Sequence, residues 1–379
     1  MTVIRSRFTP TGSMHHRRFL HSAISLSDGR VFVVGGLNSA GLNASQPADM
    51  HTSSFQHRLP GMDVAASPFN AVSVVESYRE EIGQWALEPP LPEALSGAGL
   101  VQLNSQKLLV VAGSDERGSI ASAYLYDPDT LGWTATGGLH TPRFGHTSTL
   151  LGSGKVLVVG GNNLRPPNNG QVLDGVEIYN PSTGVWSKET WLPHDCMNHT
   201  ATRLSDGRVL VLGGYSGRQN QALSNATVYD PDTRKWAPVR PLPEPRMMHT
   251  ATLLDDGRVL VCGGTNEPFG LSQQLGFIYN PPQNTWCQTE TLAAHIYHSA
   301  TVLKTGEVLV CGNASLGFDA PPELFHPDTA EWIPAGRMET ERFYHTASGL
   351  PSGNVLLAGG LAPTSHPQPM EQAELYVRD

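Results

Sequence analysis

The stretch from His249 to Gly264 carries the unit on which most of the chain is patterned. Two apolar runs, 250–254 and 259–262, flank Asp256-Gly257. Short apolar runs separated by turn chemistry predict two strands of a hairpin. Asp-Gly suits a two-residue turn because both residues tolerate positive φ. The second run ends in Gly263-Gly264, where the chain can turn sharply with no Cβ to clash.

The unit recurs seven times. From its first residue to the first residue of its glycine-pair site the offset is always fourteen: His21 to Gly35, Ala98 to Ala112, His146 to Gly160, His199 to Gly213, His249 to Gly263, His298 to Gly312 and His345 to Gly359. A third strand follows with an aromatic pair seven residues apart, as in Tyr78/Trp85, Tyr179/Trp186 and Phe325/Trp332. Between the partners lie Asx-Pro turns such as Asp127-Pro128-Asp129-Thr130, in which Pro fixes φ and Asx bonds the local backbone. A fourth strand leads from Trp to the next hairpin, twelve or thirteen residues on. The seventh unit has Tyr376 but no Trp, while Phe8 precedes His21 by thirteen. The N-terminal segment is therefore expected to supply the last unit's outer strand, closing a ring without exposed sheet edges.

The glycine pair, Tyr and Trp at these spacings resemble the kelch family over essentially the whole chain. The resemblance implies an all-β fold: a seven-bladed β-propeller of four-stranded blades, one domain over residues 1–379. Unit two departs most, with Ala98 and Ala112-Gly113, and unit six has Gly312-Asn313. The resemblance also implies that the hairpin starts, the loops after the glycine pairs and the segments entering each blade share one face.

Composition agrees with many short strands: 39 Gly and 29 Pro in 379 residues, with 16% charged. A net charge of −9 leaves no basic footprint for nucleic acid. No apolar run is long enough to span a membrane, and residues 1–7 lack a signal peptide's apolar core. A cytoplasmic monomer is expected. The four cysteines show no metal-finger spacing. Cys262 and Cys311 share a repeat position and are expected to pack as small hydrophobes.

Histidine carries the candidate chemistry. Six of the fifteen start inner strands: His21, His146, His199, His249, His298 and His345. His15, His16, His140, His194 and His295 lie just upstream, and His51, His57 and His366 follow glycine pairs. Only His326 falls on the opposite face. Converging imidazoles favour a transition metal, because they cannot all be protonated and neutral imidazole suits Cu, Fe, Zn or Ni. The six ring histidines are thus the expected metal ligands, with copper first, then iron or zinc. The alternative is a metal-free polar pocket in which they bond neighbouring backbone or hydroxyl groups.

Tyr297-His298-Ser299 and Tyr344-His345-Thr346 resemble the copper-ligand motif of galactose oxidase and glyoxal oxidase. The resemblance implies a catalytic role for Tyr297 and Tyr344. Those enzymes also carry a Tyr crosslinked to Cys just before inner-strand starts. The corresponding positions here are Leu20, Gly97, Gly145, Asn198, Met248, Tyr297 and Tyr344, without cysteine.

Arg18, Arg143, Arg246 and Arg342 each stand three residues before a ring histidine. Guanidinium forks there could hold a substrate carboxylate or phosphate, or brace the blades. Asn163, Asn266 and Glu267, with Asp115, Asn162 and Asn313, are expected at the rim, Glu267 being the best carboxylate ligand or base. Asp195 is a weaker base candidate. The interval from Gly36 to Tyr78 is 42 residues against 12 to 18 elsewhere, so residues 37–70 read as a lid over the histidine face.

These features point to a metal-dependent enzyme, an oxidoreductase with a His-ligated copper or iron centre acting on a small-molecule or peptide substrate. The alternatives are a non-catalytic kelch module that binds a protein or peptide, a zinc-dependent hydrolase or lyase, and a sugar-acid isomerase.

Overall fold

In the computed structural model, residues 6–39, 69–165, 168, 170–267, 272–312, 320–364 and 367–378 are described. Seven antiparallel four-stranded sheets stand around an axis. In blade five the strands run Thr250–Leu253, Val259–Cys262, Leu275–Asn280 and Thr285–Glu290, from inside outward. The seven inner strands neighbour one another in sequence, and the last, Thr346–Gly349, meets the first, Ser22–Ser25. The disc is therefore closed.

The closing strand is the expected one. Ser6–Thr11 pairs antiparallel with Ala373–Arg378 and forms the outer edge of blade seven. Phe8 faces Tyr376 with ring centroids 5.1 Å apart, in the place of the missing Trp. In the other blades each aromatic pair sits directly opposite in register, as Tyr229 does to Trp236. The indole N–H then reaches back across the blade boundary: Trp133 donates to Pro89 O (2.8 Å) and Trp186 to Gly137 O (2.7 Å).

The second strands explain the continuous apolar runs. All four residues are buried in Val31–Val34, Val156–Val159, Val209–Leu212 and their equivalents. Both faces of such a strand meet a neighbouring blade, so no polar alternation survives. The core lies between blades: Val101 and Leu109 of blade two pack with Val156, Val158, Tyr179 and Trp186 of blade three.

One turn differs from expectation. The Asp-Gly hairpins are three-residue loops, not two. Leu253 pairs with Val259, Leu254 N–H bonds Arg258 O, and Gly257 N–H bonds Leu254 O. Of Asp255, Asp256 and Gly257, only Gly257 has positive φ (84°). Asp256 instead accepts from Arg258 N–H and Nε, which fixes the loop without a left-handed aspartate.

Residues 37–70 were expected to form a lid. Their stem is a short ladder, Leu37–Ser39 against Phe69–Ala71. Residues 40–68, with Met50, His51, Phe55, His57 and Met62, lie outside the described residues, as do Asn313 and His366.

Candidate functional site at the channel mouth

The residue before each hairpin start forms a rim. Leu20, Gly97, Gly145, Asn198, Met248, Tyr297 and Tyr344 all have φ between 51° and 66°. A side-chain-bearing residue in this region costs about 1–2 kcal/mol. Hydrogen bonds from one blade to the next offset it. Tyr344 N–H donates to Tyr297 O, Leu20 N–H to Tyr344 O, Gly97 N–H to Leu20 O, Asn198 N–H to Gly145 O and Met248 N–H to Asn198 O, at 2.9 to 3.4 Å. The rim is thus a belt of backbone bonds around the mouth.

The imidazoles one residue further on do not point together at the axis. All but His146 turn into the seam with the preceding blade. His249 Nε2 lies 3.0 Å from Thr200 Oγ1, and His298 Nε2 lies 3.0 Å from Thr250 Oγ1. His21, His199 and His345 do the same with Thr346, Thr147 and Ser299, each at 2.9 Å. The ring edge covers the first glycine of the preceding blade's pair. A Cβ on Gly213 would lie 2.9 Å from His249 Cε1, and one on Gly263 only 2.3 Å from His298 Cε1. That close approach is why glycine stands there.

Burial makes these histidines poor bases. Loss of solvent holds His21, His146, His199 and His249 down at about 3, with neighbouring Arg or His charge adding to the effect. His298 and His345 are also held well below the ordinary value, first by burial. All six are neutral at physiological pH.

The arginines are structural. Arg143 Nη1 donates to Gly160 O (2.8 Å) and Gly175 O (2.9 Å), and Nη2 pairs with Glu177 (2.7 Å). Arg342 repeats this with Gly359 O, Gln372 O and Glu374, and Arg18 with Gly35 O, Val74 O and Glu76. The expected substrate-binding role of Arg143 and Arg342 is corrected accordingly: their donors are spent inside the blade. Arg246 departs. Phe277 replaces the glutamate, so the guanidinium stacks on its ring at 4.8 Å, with Glu244 at 3.6 Å. Arg246 Nε and Nη2 lack a hydrogen bond, and burial pushes its pKa down to about 10. In blade six His295 takes the arginine's place, bonding Gly312 O (3.0 Å) and Glu323 (3.1 Å).

The same glutamates anchor histidines at the surface. Glu76 accepts from the His15 backbone and lies 2.9 Å from its Nδ1; Glu177 treats His140 alike, at 2.8 Å. Asn163 is buried and holds its own loop by accepting from Arg165 N–H. Asp195 is engaged by Ser216 Oγ (2.6 Å) and Arg218 N–H, which removes it as a base. Asn266 and Glu267 line a polar cavity of about 620 Å³ with Gln219, Gln221 and Asn225, at the boundary of blades four and five. Tyr297 and Tyr344 stack on each other, centroids 4.1 Å apart, beside Phe343.

The glycine-pair and aromatic geometry is matched by the comparisons with known proteins. The description "KLHDC2/KLHL20/DRC7 Kelch-repeats domain" fits residues 145–360, more than half of the chain. The chain belongs to the kelch-repeat family. The kelch chain is 28% identical over 159 residues to human kelch repeat and BTB domain-containing protein 12, covering 38% of this chain and 25% of that protein. It is 30% identical over 159 residues to human kelch-like protein 33, covering 40% and 28%. The chain thus spans about a quarter of the length of these relatives. Among solved structures, a fungal alcohol oxidase of the AA5 family in complex with copper superposes with a TM-score of 0.74 at 16% identity, covering 98% of this chain and 76% of that one. YjhT superposes at 0.60 and 17% identity, covering 77% and 99%. These two likenesses concern the fold.

The donor set of the kelch ring does not fit a copper centre of the oxidase kind. Five of the six imidazoles place Nε2 on a hydroxyl of the neighbouring blade, and the two tyrosines face each other. Among the described residues no three His, Cys, Asp or Glu side chains come together as a metal-ligand set. Of the six expected ligands, His21, His199, His249, His298 and His345 make seam contacts, and His146 has no hydrogen-bond partner. Cys196, the nearest thiol, is buried with Sγ 3.3 Å from His199 Nδ1, and burial pushes its pKa up. What the sequence reading missed is the hydroxyl partner. A Ser or Thr follows every ring histidine, and in five of the six cases it meets the next blade's imidazole; Ser22 instead donates to Ala98 O.

Proposed function

We propose that this kelch propeller is a non-catalytic binding module that takes a polypeptide partner at its channel mouth. The observation that carries the reading is the division of labour at the rim. Five of the six ring imidazoles and the arginines are spent on holding the blades together, whereas Tyr297 and Tyr344 stand at the mouth in a strained left-handed conformation. Strain of this kind persists where surrounding structure over-determines it, and it collects at ligand sites. Stacked tyrosines offer rigid, amphipathic contact area at low entropic cost. The family resemblance supports the same reading, since kelch scaffolds commonly bind partners on this face.

A photo-crosslinking amino acid at Met248, on the rim, compared with one at Asp256, on the opposite face, tests the proposal in cells. Crosslinks to a discrete protein from position 248 and not from 256 support it. The reverse pattern counts against it.

The oxidoreductase reading, with copper, iron or zinc, is favoured by one observation: the copper-bound alcohol oxidase shares the fold. It stands second because the nitrogens it needs are turned into the seams. Stoichiometric transition metal in freshly purified protein, lost on substituting His298 or His345, would restore it.

A further inference from the structure

Blade two starts with Ala98 and brings no imidazole to its seam with blade one, and among the six seams that do have a ring histidine the pattern fails at one place, between blades two and three. Every other ring histidine meets a Ser or Thr hydroxyl, but the residue facing His146 is Gly99. Every other ring histidine lies over a glycine, but the residue below His146 is Ala112, itself at φ 58°. In the regular seams a Cβ at that position would fall 2.3 to 2.9 Å from the histidine's Cε1. His146 therefore cannot take the seat its companions take. The third departure is Ser148, where the other five histidine-led blades have alanine two residues after the histidine. Its hydroxyl lies where a residue-99 side chain would be, 2.2 Å from a Cβ placed on Gly99.

The outcome is a cluster of unmatched polar atoms at the mouth. His146 Nδ1, His146 Nε2 and Ser148 Oγ are all buried without a hydrogen-bond partner. Both residues are partly exposed overall. With no bond to break, the imidazole can turn toward the channel at little cost, which its five companions cannot do. Unmatched buried polar atoms are rare enough in folded proteins to require a cause.

We propose that His146 and Ser148 bind a peptide unit of an extended segment laid across the mouth. A neutral imidazole and a hydroxyl each offer one donor and one acceptor, the complement of a backbone amide. The paired arginine next to them, Arg143, has its charge matched by Glu177, so the site holds no counter-charge for an ion. Placement supplies the second contact. In a seven-membered rim, blade six stands across from the junction of blades two and three. A segment spanning the opening thus meets His146 at one end and the Tyr297/Tyr344 stack at the other. This assignment rests on the reading of the mouth as a polypeptide-binding site.

The test is a phage-displayed library of random dodecapeptides panned on the full-length protein, with enriched peptides resynthesised and titrated by fluorescence anisotropy. Three variants are compared: His146→Phe, Tyr297→Ala, and a seam-repaired protein carrying Gly99→Thr, Ala112→Gly and Ser148→Ala. The repaired protein is expected to be at least as heat-stable as the parent, so its loss of binding is not a folding defect. At least tenfold weaker binding is expected in all three variants. N-methylation at one backbone position of the peptide is expected to have a similar effect. Peptides weakened by Tyr297→Ala but indifferent to His146→Phe and to seam repair overturn this inference while leaving the mouth reading intact. Peptides that follow an Asn or Gln side chain and ignore backbone methylation overturn the peptide-unit assignment. No enrichment, or indifference to Tyr297→Ala, overturns the mouth reading and this inference with it.

Discussion

The Arg246 guanidinium lies 4.8 Å above the centre of the Phe277 ring, where blades one, three and seven give the equivalent arginine a buried glutamate. One architectural position is thus filled by two different solutions, an ion pair and a cation–π contact. They differ in what removal leaves behind.

Arg143→Met strands Glu177 as a buried, unpaired carboxylate. It is expected to cost about 3–5 kcal/mol. Arg246→Met frees Gly263 O and Leu275 O, as Arg143→Met frees Gly160 O and Gly175 O, but it strands no buried carboxylate, because Glu244 is exposed enough to hydrate. The expected cost is about 1–3 kcal/mol, smaller than that of Arg143→Met. Chemical denaturation of the two variants side by side measures the gap; equal losses would contradict this account.

The seam hydroxyls predict a second contrast. Thr200→Val removes the partner of His249 Nε2 without changing shape and leaves a buried nitrogen unmet. The expected loss is about 1–3 kcal/mol. Gly99→Thr, made together with Ala112→Gly and Ser148→Ala, supplies the missing partner for His146 and clears its seat, and is expected to raise the thermal midpoint. Differential scanning calorimetry of both proteins gives the two signs directly.

Acid sensitivity follows from the neutral imidazoles. His21, His146, His199 and His249 bind protons near pH 3 when folded, against about 6.5 when unfolded. Between those values the unfolded chain holds protons that the native one does not. Stability is therefore full above about pH 6.5 and falls as pH drops toward 3, by up to about 1.4 kcal/mol per unit per histidine. A margin of about 5–15 kcal/mol is exhausted well before pH 3. Urea midpoints measured from pH 8 to pH 4 should decline steadily below 6.5, and a flat profile would refute the burial argument.

Phe8 is the test of closure. Its ring packs on Tyr376 and is almost wholly buried. Phe8→Ala is expected to cost about 3–5 kcal/mol. Amide exchange in Ala373–Arg378 should accelerate in that variant before exchange in blade four does.

Much of the architecture was legible because backbone periodicity is a local property. A fixed offset of fourteen places His249 and Gly263 at matching ends of a hairpin whatever surrounds it. The spacing of Phe8 from His21 likewise identified the closing strand. The direction of an imidazole is not local. For His249 it depends on Thr200 and Gly213, which belong to the preceding blade, 49 and 36 residues away, so no pattern within its own blade specifies it. The signal lay in paired departures. Gly99, Ala112 and Ser148 change together, as do Cys196 and Thr227, which stand in blade four where blade three has Arg143 and Glu177. Reading columns of the repeat against each other, across blades, exposes such couplings in a single chain.

The belt formed by Ser6–Thr11 and Ala373–Arg378 also has a kinetic consequence. Of the propeller's strands, the first to be synthesised has no docking edge until the last has been made. Six blades can settle during synthesis while the seventh waits, and the disc locks only after translation of this region ends. A cut near either of these strands, rather than in the loops elsewhere, is where such a molecule would come undone like an unclasped bracelet.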